Sequence, residues 1–387
     1  MRKEIHFTSG IKLLCVLTAG AFLLSACGKT EEKDTDGAAA PMESDMVGAD
    51  FEYQFVAKAE NGYYFWERIS PDNLYPRMMF MDKESGRVVP LCNRPDCVHE
   101  GEGCNAYFRE QHDDGGGVDK QYLQYYEGNL YAVGLSEDAY VSLFRIKADG
   151  SAEWEISTKL YRTDYSVTGH WKPPEILIDD GYVYFVDWYQ KIKKLERMPI
   201  GGGTSEILFE GDSDASAVDI YQIKSNDGVL FFQVINYPDD MPENLTGALY
   251  CYDPAAGQCN LVKVFAGPCS VQNGFVYHSS PEGLCRYSIQ DQTTEILVNR
   301  PMNVPNITLT REYIILCDQR KDGATLTLYD YEGEEINTVP NTLGLVWYFG
   351  GDSDMLFGEC WNDCISLCYL DLNRPATELQ WEELKEN

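Results

Sequence analysis

The chain has 387 residues, of which 31 are basic and 62 acidic, so its formal net charge at pH 7 is −31. This charge excludes a nucleic-acid-binding function, which requires a basic surface, and it gives no electrostatic attraction to anionic lipids. Aromatic residues are abundant, with 26 Tyr and 16 Phe, and such residues suit pleated, half-buried strands.

The first 26 residues have the features of a secretory signal peptide. A basic start precedes the apolar run LLCVLTAGAFLL (13–24), which is too short for an ordinary membrane span. The run ends in Leu24-Ser25-Ala26-Cys27, which resembles the bacterial lipobox. This resemblance implies cleavage before Cys27 and acylation of its thiol, with chains such as palmitate. The alternative is an ordinary secretory signal with a chance cysteine.

Residues 27–50 are predicted to be the acylated cysteine and a flexible tether, because the segment is polar, small and acidic. Without residues 1–26 the chain would carry 28 basic and 61 acidic residues, a net charge of −33. Acyl chains would then have to supply the membrane attachment. We expect a protein anchored to the cell membrane and facing outside the cytoplasm.

A turn followed by a strand recurs along residues 51–387, with copies that start on average about 48 residues apart. The copies are NGYYFW (61–66), EGNLYAVG (127–134), DGYVYFVD (180–187), DGVLFFQV (227–234), NGFVYHSS (273–280), REYIILCD (311–318) and SDMLFGEC (353–360). Five of them open with Asn, Asp or Glu before Gly, and Asn-Gly and Asp-Gly favour hairpin turns. A second alternating strand follows each copy, as in LFRIK (143–147).

Four strands per repeat of this length are typical of β-propeller blades. The sequence therefore predicts an all-β domain over 51–387, a β-propeller with seven blades of four antiparallel strands. Six or eight blades are alternatives, because the last two copies lack the glycine. A β-sandwich would not explain seven matching pairs of strands.

The lipobox, the acidic tether and the blade pattern together resemble the TolB-like β-propeller lipoproteins of Gram-positive bacteria, most of which have no known function. The stretch LCNRPDCVHEGEGCNAYF (91–108) is also similar to an element near the first blade of some of these proteins. The resemblance covers the whole mature chain and implies the fold. It assigns no catalytic residue.

In a propeller, connections between strands 2 and 3, and between strand 4 and the next blade, leave the same face. Here those connections are long and rich in side chains, which is typical of functional loops. Aromatic residues on them are candidates for contact with a ligand: Tyr75, Trp171, Trp188, Tyr189, Tyr237 and Trp361. The alternative is that each of them covers the core of a neighbouring blade.

A cluster of potential metal ligands lies in the stretch LCNRPDCVHEGEGCNAY (91–107) and consists of Cys92, Cys97, His99 and Cys104. Three thiolates and an imidazole would form a closed, structural zinc site, and no cofactor is otherwise indicated. Disulfides are the alternative, since exported proteins meet oxidising surroundings. Further disulfide candidates are Cys251 with Cys259, and Cys360 with Cys364. Unmodified thiols are the third interpretation, which we expect for Cys285, Cys317 and Cys368.

No catalytic motif accompanies these features, so the sequence favours a non-catalytic binding or scaffold propeller that recognises a protein, peptide or glycan. One alternative is a propeller hydrolase or lyase that acts on extracellular glycans through paired carboxylates. Another is a structural subunit of an envelope assembly. Acidic residues with a raised pKa in the central pocket would favour the enzyme.

Overall fold

A computed structural model describes residues 56–67, 76–99, 103–108, 122–163, 174–187, 190–213, 217–226, 228–237, 247–265, 269–300, 306–320, 323–343, 345–361 and 365–384. All of them belong to one compact unit, Glu43–Asn387. The predicted signal peptide, Cys27 and the acidic tether lie outside the described residues. The described part of the chain contains no helix long and apolar enough to cross a membrane.

The strands form seven sheets, each with four antiparallel strands in chain order. Blades 1 and 2 consist of β1 (Val56–Ala59), β2 (Gly62–Glu67), β3 (Arg77–Asp82), β4 (Val88–Pro90), β5 (Leu123–Tyr126), β6 (Asn129–Leu135), β7 (Tyr140–Lys147) and β8 (Glu155–Arg162). Blades 3 and 4 consist of β9 (Ile176–Asp179), β10 (Tyr182–Val186), β11 (Lys194–Pro199), β12 (Glu206–Glu210), β13 (Ala217–Asn226), β14 (Val229–Tyr237), β15 (Gly247–Asp253) and β16 (Gln258–Phe265).

The remaining blades complete the ring. Blades 5 and 6 consist of β17 (Cys269–Gln272), β18 (Phe275–Ser280), β19 (Gly283–Ser288), β20 (Thr294–Val298), β21 (Asn306–Leu309), β22 (Ile314–Arg320), β23 (Gly323–Tyr329) and β24 (Glu335–Val339). Blade 7 consists of β25 (Leu345–Gly351), β26 (Met355–Trp361), β27 (Ile365–Asp371), a 3-10 turn (Ala376–Glu378) and β28 (Glu382–Glu383).

The first strand of each blade lies at the centre and the fourth at the rim. First strands of successive blades contact one another, as β1, β5, β9 and β13 do in turn. Fourth strands such as β12, β16 and β20 are mostly exposed or half-buried. The predicted all-β propeller with seven four-stranded blades is confirmed.

The hydrophobic core lies between neighbouring blades, because each strand alternates side chains towards the blade before it and the blade after it. Blade 7 packs on blade 1 through Met355 and Phe357 against Tyr63 and Phe65. Among the described residues each blade consists of consecutive strands, so none of the described strands is exchanged between blades 1 and 7. Closure therefore depends on side chains across the interface of blades 1 and 7.

The turns between the first two strands of each blade explain why a glycine recurs in the sequence and why blades 6 and 7 lack it. In blade 2, Glu127 and Gly128 have φ of 46° and 75°, the pair of left-handed residues that a type I′ turn requires. Blades 6 and 7 replace this device with side-chain capping. Thr310 Oγ1 accepts the N–H of Tyr313 (2.9 Å), and Asp352 Oδ1 accepts the N–H of Met355 (2.8 Å).

Successive strands run in opposite directions, so all connections between strands 2 and 3, and from one blade to the next, leave one side of the ring. We call this side the long-loop face. Its longest connections include residues 68–76, 163–175, 187–193 and 238–246. The opposite side carries shorter turns such as 127–128 and 180–181.

Candidate metal centre

The cysteine-rich stretch is an insertion into the outer edge of blade 1. After β4 ends, Leu91 donates its N–H to Met78 O (2.9 Å), and Met78 donates its own N–H to Ala106 O (2.8 Å). The chain then continues along β3, where Phe108 donates to Pro76 O (3.0 Å). Residues 92–105, which we call the cysteine loop, are thus closed at their base by the backbone of Met78.

The cysteine loop projects at the rim and packs on blade 2. Asn105 Nδ2 donates to Gly150 O (2.9 Å), and the N–H of Asn93 donates to the same oxygen (3.3 Å). Gly150 belongs to the turn between β7 and β8, which lies on the side opposite the long-loop face. The loop therefore lies away from the long-loop face, although it belongs to the connection from strand 4 of blade 1 to blade 2. No periodic pattern in the sequence marks a loop inserted within an edge strand.

The loop gathers its four predicted ligands into one cluster. One ligand atom from each of Cys92, Cys97, His99 and Cys104 lies within 4.8 Å of all the others. His99 Nδ1 is 3.8 Å from Cys104 Sγ. In a tetrahedral zinc site the corresponding sulfur–sulfur and sulfur–nitrogen edges are about 3.8 and 3.5 Å, as bond lengths of about 2.3 and 2.0 Å require. Within the described ranges this is the only such group of metal-binding side chains.

Each sulfur of the cluster accepts a hydrogen bond from the backbone two residues later. The donors are the N–H groups of Arg94 for Cys92, His99 for Cys97 (3.4 Å) and Ala106 for Cys104. Cys92 also accepts the N–H of Asn105. Donors directed at all three sulfur atoms stabilise negative charge on them, as thiolates require.

The pKa values of Cys92 and Cys104 shift in opposite directions. Burial acts to raise the pKa of Cys92, but the N–H donors of Arg94 and Asn105 outweigh it and lower the pKa. Burial raises the pKa of Cys104 to about 12, and the neighbouring thiols add to this shift. Without a cation, the cluster therefore favours charge on Cys92 and a proton on Cys104.

His99 is held in an unusual backbone conformation. Its φ is 58°, in the left-handed region that few non-glycine residues adopt. Its carbonyl oxygen accepts from Arg77 Nη1 (3.3 Å), and Arg77 is itself paired with Glu67 (2.6 Å). The preceding Val98 is directed outwards and is 78% exposed. The geometry thus directs the imidazole of His99 into the cluster and an apolar side chain into solvent.

The remaining cysteine candidates do not form the expected hairpin disulfide. Cys251 lies opposite Asn260, and Cys259 lies opposite Tyr252. Facing residues of adjacent strands share one side of the sheet, so the two thiols lie on opposite sides. Both are free thiols, and neither forms a disulfide. The predicted pairing was wrong, because the strand register differs by one residue from the register that would place the two thiols opposite each other.

The other predicted pair is only half described. Cys360 is buried and donates its S–H to Leu343 O (2.8 Å), whereas Cys364 lies outside the described residues. The expected buried thiols are all in the core, with Cys285, Cys317 and Cys368 no more than 2% exposed.

Of the aromatic ligand candidates, one is described in full. Tyr75, Trp171, Trp188 and Tyr189 lie outside the described residues, and only the backbone of Trp361 is described. Tyr237 ends β14 on the long-loop face and is half-buried. Burial raises the pKa of its hydroxyl, and a hydrogen bond with Asp219 adds to the shift.

Tyr237 belongs to a polar group that the sequence analysis missed. Lys193 Nζ lies 3.9 Å from Asp219 Oδ1, and its side chain is only 9% exposed. The same amine donates to Gln190 O. A buried cation, a carboxylate and a phenol therefore meet at the junction of blades 3 and 4. No local motif could have indicated them, because they come from three separate connections and strands.

Comparisons with known proteins identify the fold but no family. No protein-family model matches the chain, and no curated protein sequence matches it. Among solved structures it is similar to prolyl endopeptidases, with TM-score 0.57, 12% identity, and coverage of 89% of this chain and 51% of the other.

Two further solved structures show the same likeness. A puromycin-hydrolysing peptidase of Mycobacterium tuberculosis has TM-score 0.56 and 13% identity, with 86% of this chain and 53% of the other covered. Prolyl oligopeptidase B from Galerina marginata has TM-score 0.54 and 11% identity, with 84% and 49% covered. The chain spans about half the length of these proteins. At such identities the likeness concerns the fold alone.

Proposed function

We propose that the protein is a lipoprotein anchored to the outer face of the cell membrane through Cys27, and that its propeller binds a protein, peptide or glycan without catalysing a reaction. The lipobox, the short apolar run and the acidic tether support the anchor. The family resemblance of the blades to TolB-like lipoproteins agrees with it.

The observation that carries the binding role is the asymmetry of the ring. The longest connections leave one face, and the partly buried group of Lys193, Asp219 and Tyr237 lies on that face. Fixed hydrogen-bonding groups beside an aromatic ring suit recognition of a polar ligand. The net charge disfavours nucleic acid and favours cationic or neutral ligands.

Several features support binding over catalysis. Five described carboxyl groups have a lowered pKa, and they are Asp82, Asp138, Asp149, Asp354 and Glu382. A carboxyl group that donates a proton in glycoside or peptide chemistry needs the opposite shift. The metal-ligand cluster offers four protein ligands, and such closed sites are structural.

The anchor is tested by fractionating cells that express the chain or its variants. Cys27→Ala should move the protein from the membrane to the soluble fraction and abolish incorporation of a palmitate analogue. Cys15→Ala is the matched control, because this cysteine lies in the segment that processing would remove. Membrane retention of the Cys27→Ala protein would refute the proposed anchor.

The binding role is tested with the purified chain on arrays of glycans and of peptides. Lys193→Ala should weaken binding to any retained ligand, whereas Lys147→Ala, on the opposite face, should not. Release of shorter products from a bound glycan or peptide would favour the hydrolase or lyase instead. Retention of no ligand, with stable inclusion in an envelope complex, would favour a structural subunit.

A further inference from the structure

The cysteine loop contains a site that the proposed binding function does not use. We propose that it is a structural zinc site whose ligands are Cys92, Cys97, His99 and Cys104. The zinc ion holds the loop closed and fastens the rim of blade 1 to blade 2.

The donor set is specific for a borderline-soft cation. Three sulfur atoms and one imidazole nitrogen within 4.8 Å of one another match the composition and size of a tetrahedral zinc shell. Calcium and magnesium need oxygen ligands, and none of the four side chains supplies one. Three thiolates, one neutral imidazole and one divalent cation carry a net charge of about −1.

A disulfide explains less of this geometry. It would join two of the three sulfur atoms and leave the third thiol and His99 without a role. Each of the three sulfur atoms accepts an N–H from the residue two positions later, and a disulfide would not need these donors. Such donors stabilise thiolate ligands. All three sulfur atoms have such a donor, which suits one shared partner.

In its described part, the loop has only a small hydrophobic cluster to hold it. Its cluster of buried residues consists of Cys104, Ala106 and Tyr107, with Cys92 and Cys97 against them. Val98 is 78% exposed and contributes nothing to this cluster. Short segments without a core need a disulfide or a metal to order them. The left-handed backbone at His99 also costs free energy, which ligation of its imidazole would offset.

The position of the loop determines what the zinc ion stabilises. Phe108 lies three residues after the end of the loop and is only 1% exposed. It packs edge-on against Phe144 and Trp154 of blade 2, with ring centroids 5.0 Å apart in both pairs. Trp66 of blade 1 stacks on Trp154 at 5.5 Å. A closed loop therefore keeps Phe108 in the core that blades 1 and 2 share.

The test uses the full chain, purified in detergent with a reductant, after thiol counting has confirmed reduced cysteines. Metal analysis should find about one zinc ion per chain. After chelation, titration with Co²⁺ should produce the strong visible absorption of a tetrahedral thiolate complex. Cys97→Ser and His99→Gln should each weaken Co²⁺ binding by more than about 100-fold, because even the loss of an outer-shell partner costs 10- to 100-fold.

Cys251→Ser is the matched control, since it removes a half-buried thiol outside the cluster and should leave Co²⁺ binding unchanged. In wild-type protein, chelation should speed hydrogen exchange at Cys104–Phe108 but not in β15. This second readout does not depend on whether the variants fold.

Three results would overturn the proposal. A reduced chain that binds neither zinc nor Co²⁺ would exclude the site, and retention of zinc by both ligand variants would place the metal elsewhere. Iron bound by the same residues would refute the zinc assignment. None of these outcomes bears on the long-loop face, so the site and the binding function can fail independently.

Discussion

Tyr63 in blade 1 donates its hydroxyl hydrogen bond to Asp352 in blade 7, with Oη 3.0 Å from Oδ2. Both side chains are about 1% exposed. Lys58 Nζ lies 3.0 Å from the same carboxylate oxygen, so the buried charge has a cationic partner. Since none of the described strands is exchanged between the first and last blades, this contact is a main polar link across the point where the ring closes.

We predict that Tyr63→Phe lowers the free energy of unfolding by about 1.5–3 kcal/mol, the usual range for a hydrogen bond to a charged group. The loss arises because Asp352 keeps its charge but loses a donor. Denaturant titration of the purified chain measures it. Tyr287→Phe is the control: the described residues give its hydroxyl no hydrogen bond, so a change within about 0.5 kcal/mol is expected.

The pH dependence of the free energy of unfolding tests the same contact. Burial, reinforced by Asp352, raises the pKa of Tyr63. Above about pH 10 the unfolded chain loses this proton while the folded chain keeps it, so stability falls as pH rises. Wild-type protein should therefore lose more stability than Tyr63→Phe between about pH 9 and about pH 11. Parallel pH profiles would contradict this assignment.

A second prediction concerns an arginine that recurs at the same position in several blades. Arg197 pairs with Glu206 (2.9 Å), and its guanidinium lies 4.8 Å from the Tyr182 ring and 5.5 Å from the Tyr252 ring of the next blade. Its side chain is only 17% exposed. Arg197→Ala should cost about 1–2 kcal/mol of unfolding free energy, because it removes both the ion pair and a shielded cation–π contact.

Arg145 in blade 2 is the matched control. It pairs with Glu155 at 2.7 Å, but the two side chains are 44% and 62% exposed. Exposed pairs contribute little, so Arg145→Ala should cost about 0–1 kcal/mol. Arg197→Lys should restore only part of the loss, since an ammonium group lacks the planar stacking surface. Equal costs at the two positions would show that packing between blades adds nothing.

The repeat of glycine turns predicted a propeller and favoured seven blades, because one turn type recurs with hydrophobic strands on both sides. The absence of glycine in blades 6 and 7 left the count open. Thr310 and Asp352 replace the glycine turn there, and a single threonine or aspartate is too common to be diagnostic. These turns could thus be predicted from the sequence only where they contain glycine.

The candidate site was predicted in composition but not in position. The sequence placed Cys92, Cys97, His99 and Cys104 on one short stretch, and the structure brings one ligand atom from each within 4.8 Å of the others, because groups on one short loop are local in sequence. The contacts of the loop with Met78 and Gly150 depend on strand pairing and blade packing, which sequence spacing does not encode. The failed pairing of Cys251 with Cys259 has the same cause, since one residue of register reverses the side of the sheet.

A third prediction uses His278, a buried histidine on β18. Its ring lies 4.5 Å from the Phe265 ring, and Nδ1–H donates to Ser279 O (3.2 Å). Nε2 is buried and has no hydrogen-bond partner among the described residues. Burial lowers the pKa of His278, and the charge of Lys263 adds to this effect.

Because the folded-state pKa is lowered, the unfolded chain binds this proton first as pH falls below about 6.5. Stability is therefore retained above that pH and lost below it. Denaturation at about pH 7.5 and about pH 5 should show a larger loss for wild-type protein than for His278→Gln, which cannot titrate. An unchanged pH dependence in the variant would mean that other groups control acid stability.

The last prediction links the turn of blade 2 to the cysteine loop. Gly150 has φ of 70°, and a Cβ built on it would lie 2.9 Å from Cys92 N and 3.0 Å from Leu91 C. Gly128 has φ of 75°, but a Cβ there would meet nothing within 4 Å. Gly128→Ala should therefore cost only the left-handed strain, about 1–2 kcal/mol.

Gly150→Ala carries the same strain and also displaces the backbone of Cys92. It should destabilise the chain by more than Gly128→Ala and should weaken Co²⁺ binding at the cysteine loop, which Gly128→Ala should leave intact. Denaturant titration and Co²⁺ absorption measure the two effects on the same samples. If both alanine variants bind Co²⁺ as the wild type does, the blade 2 turn does not position the metal ligands, and the loop forms its cluster without support from its neighbour.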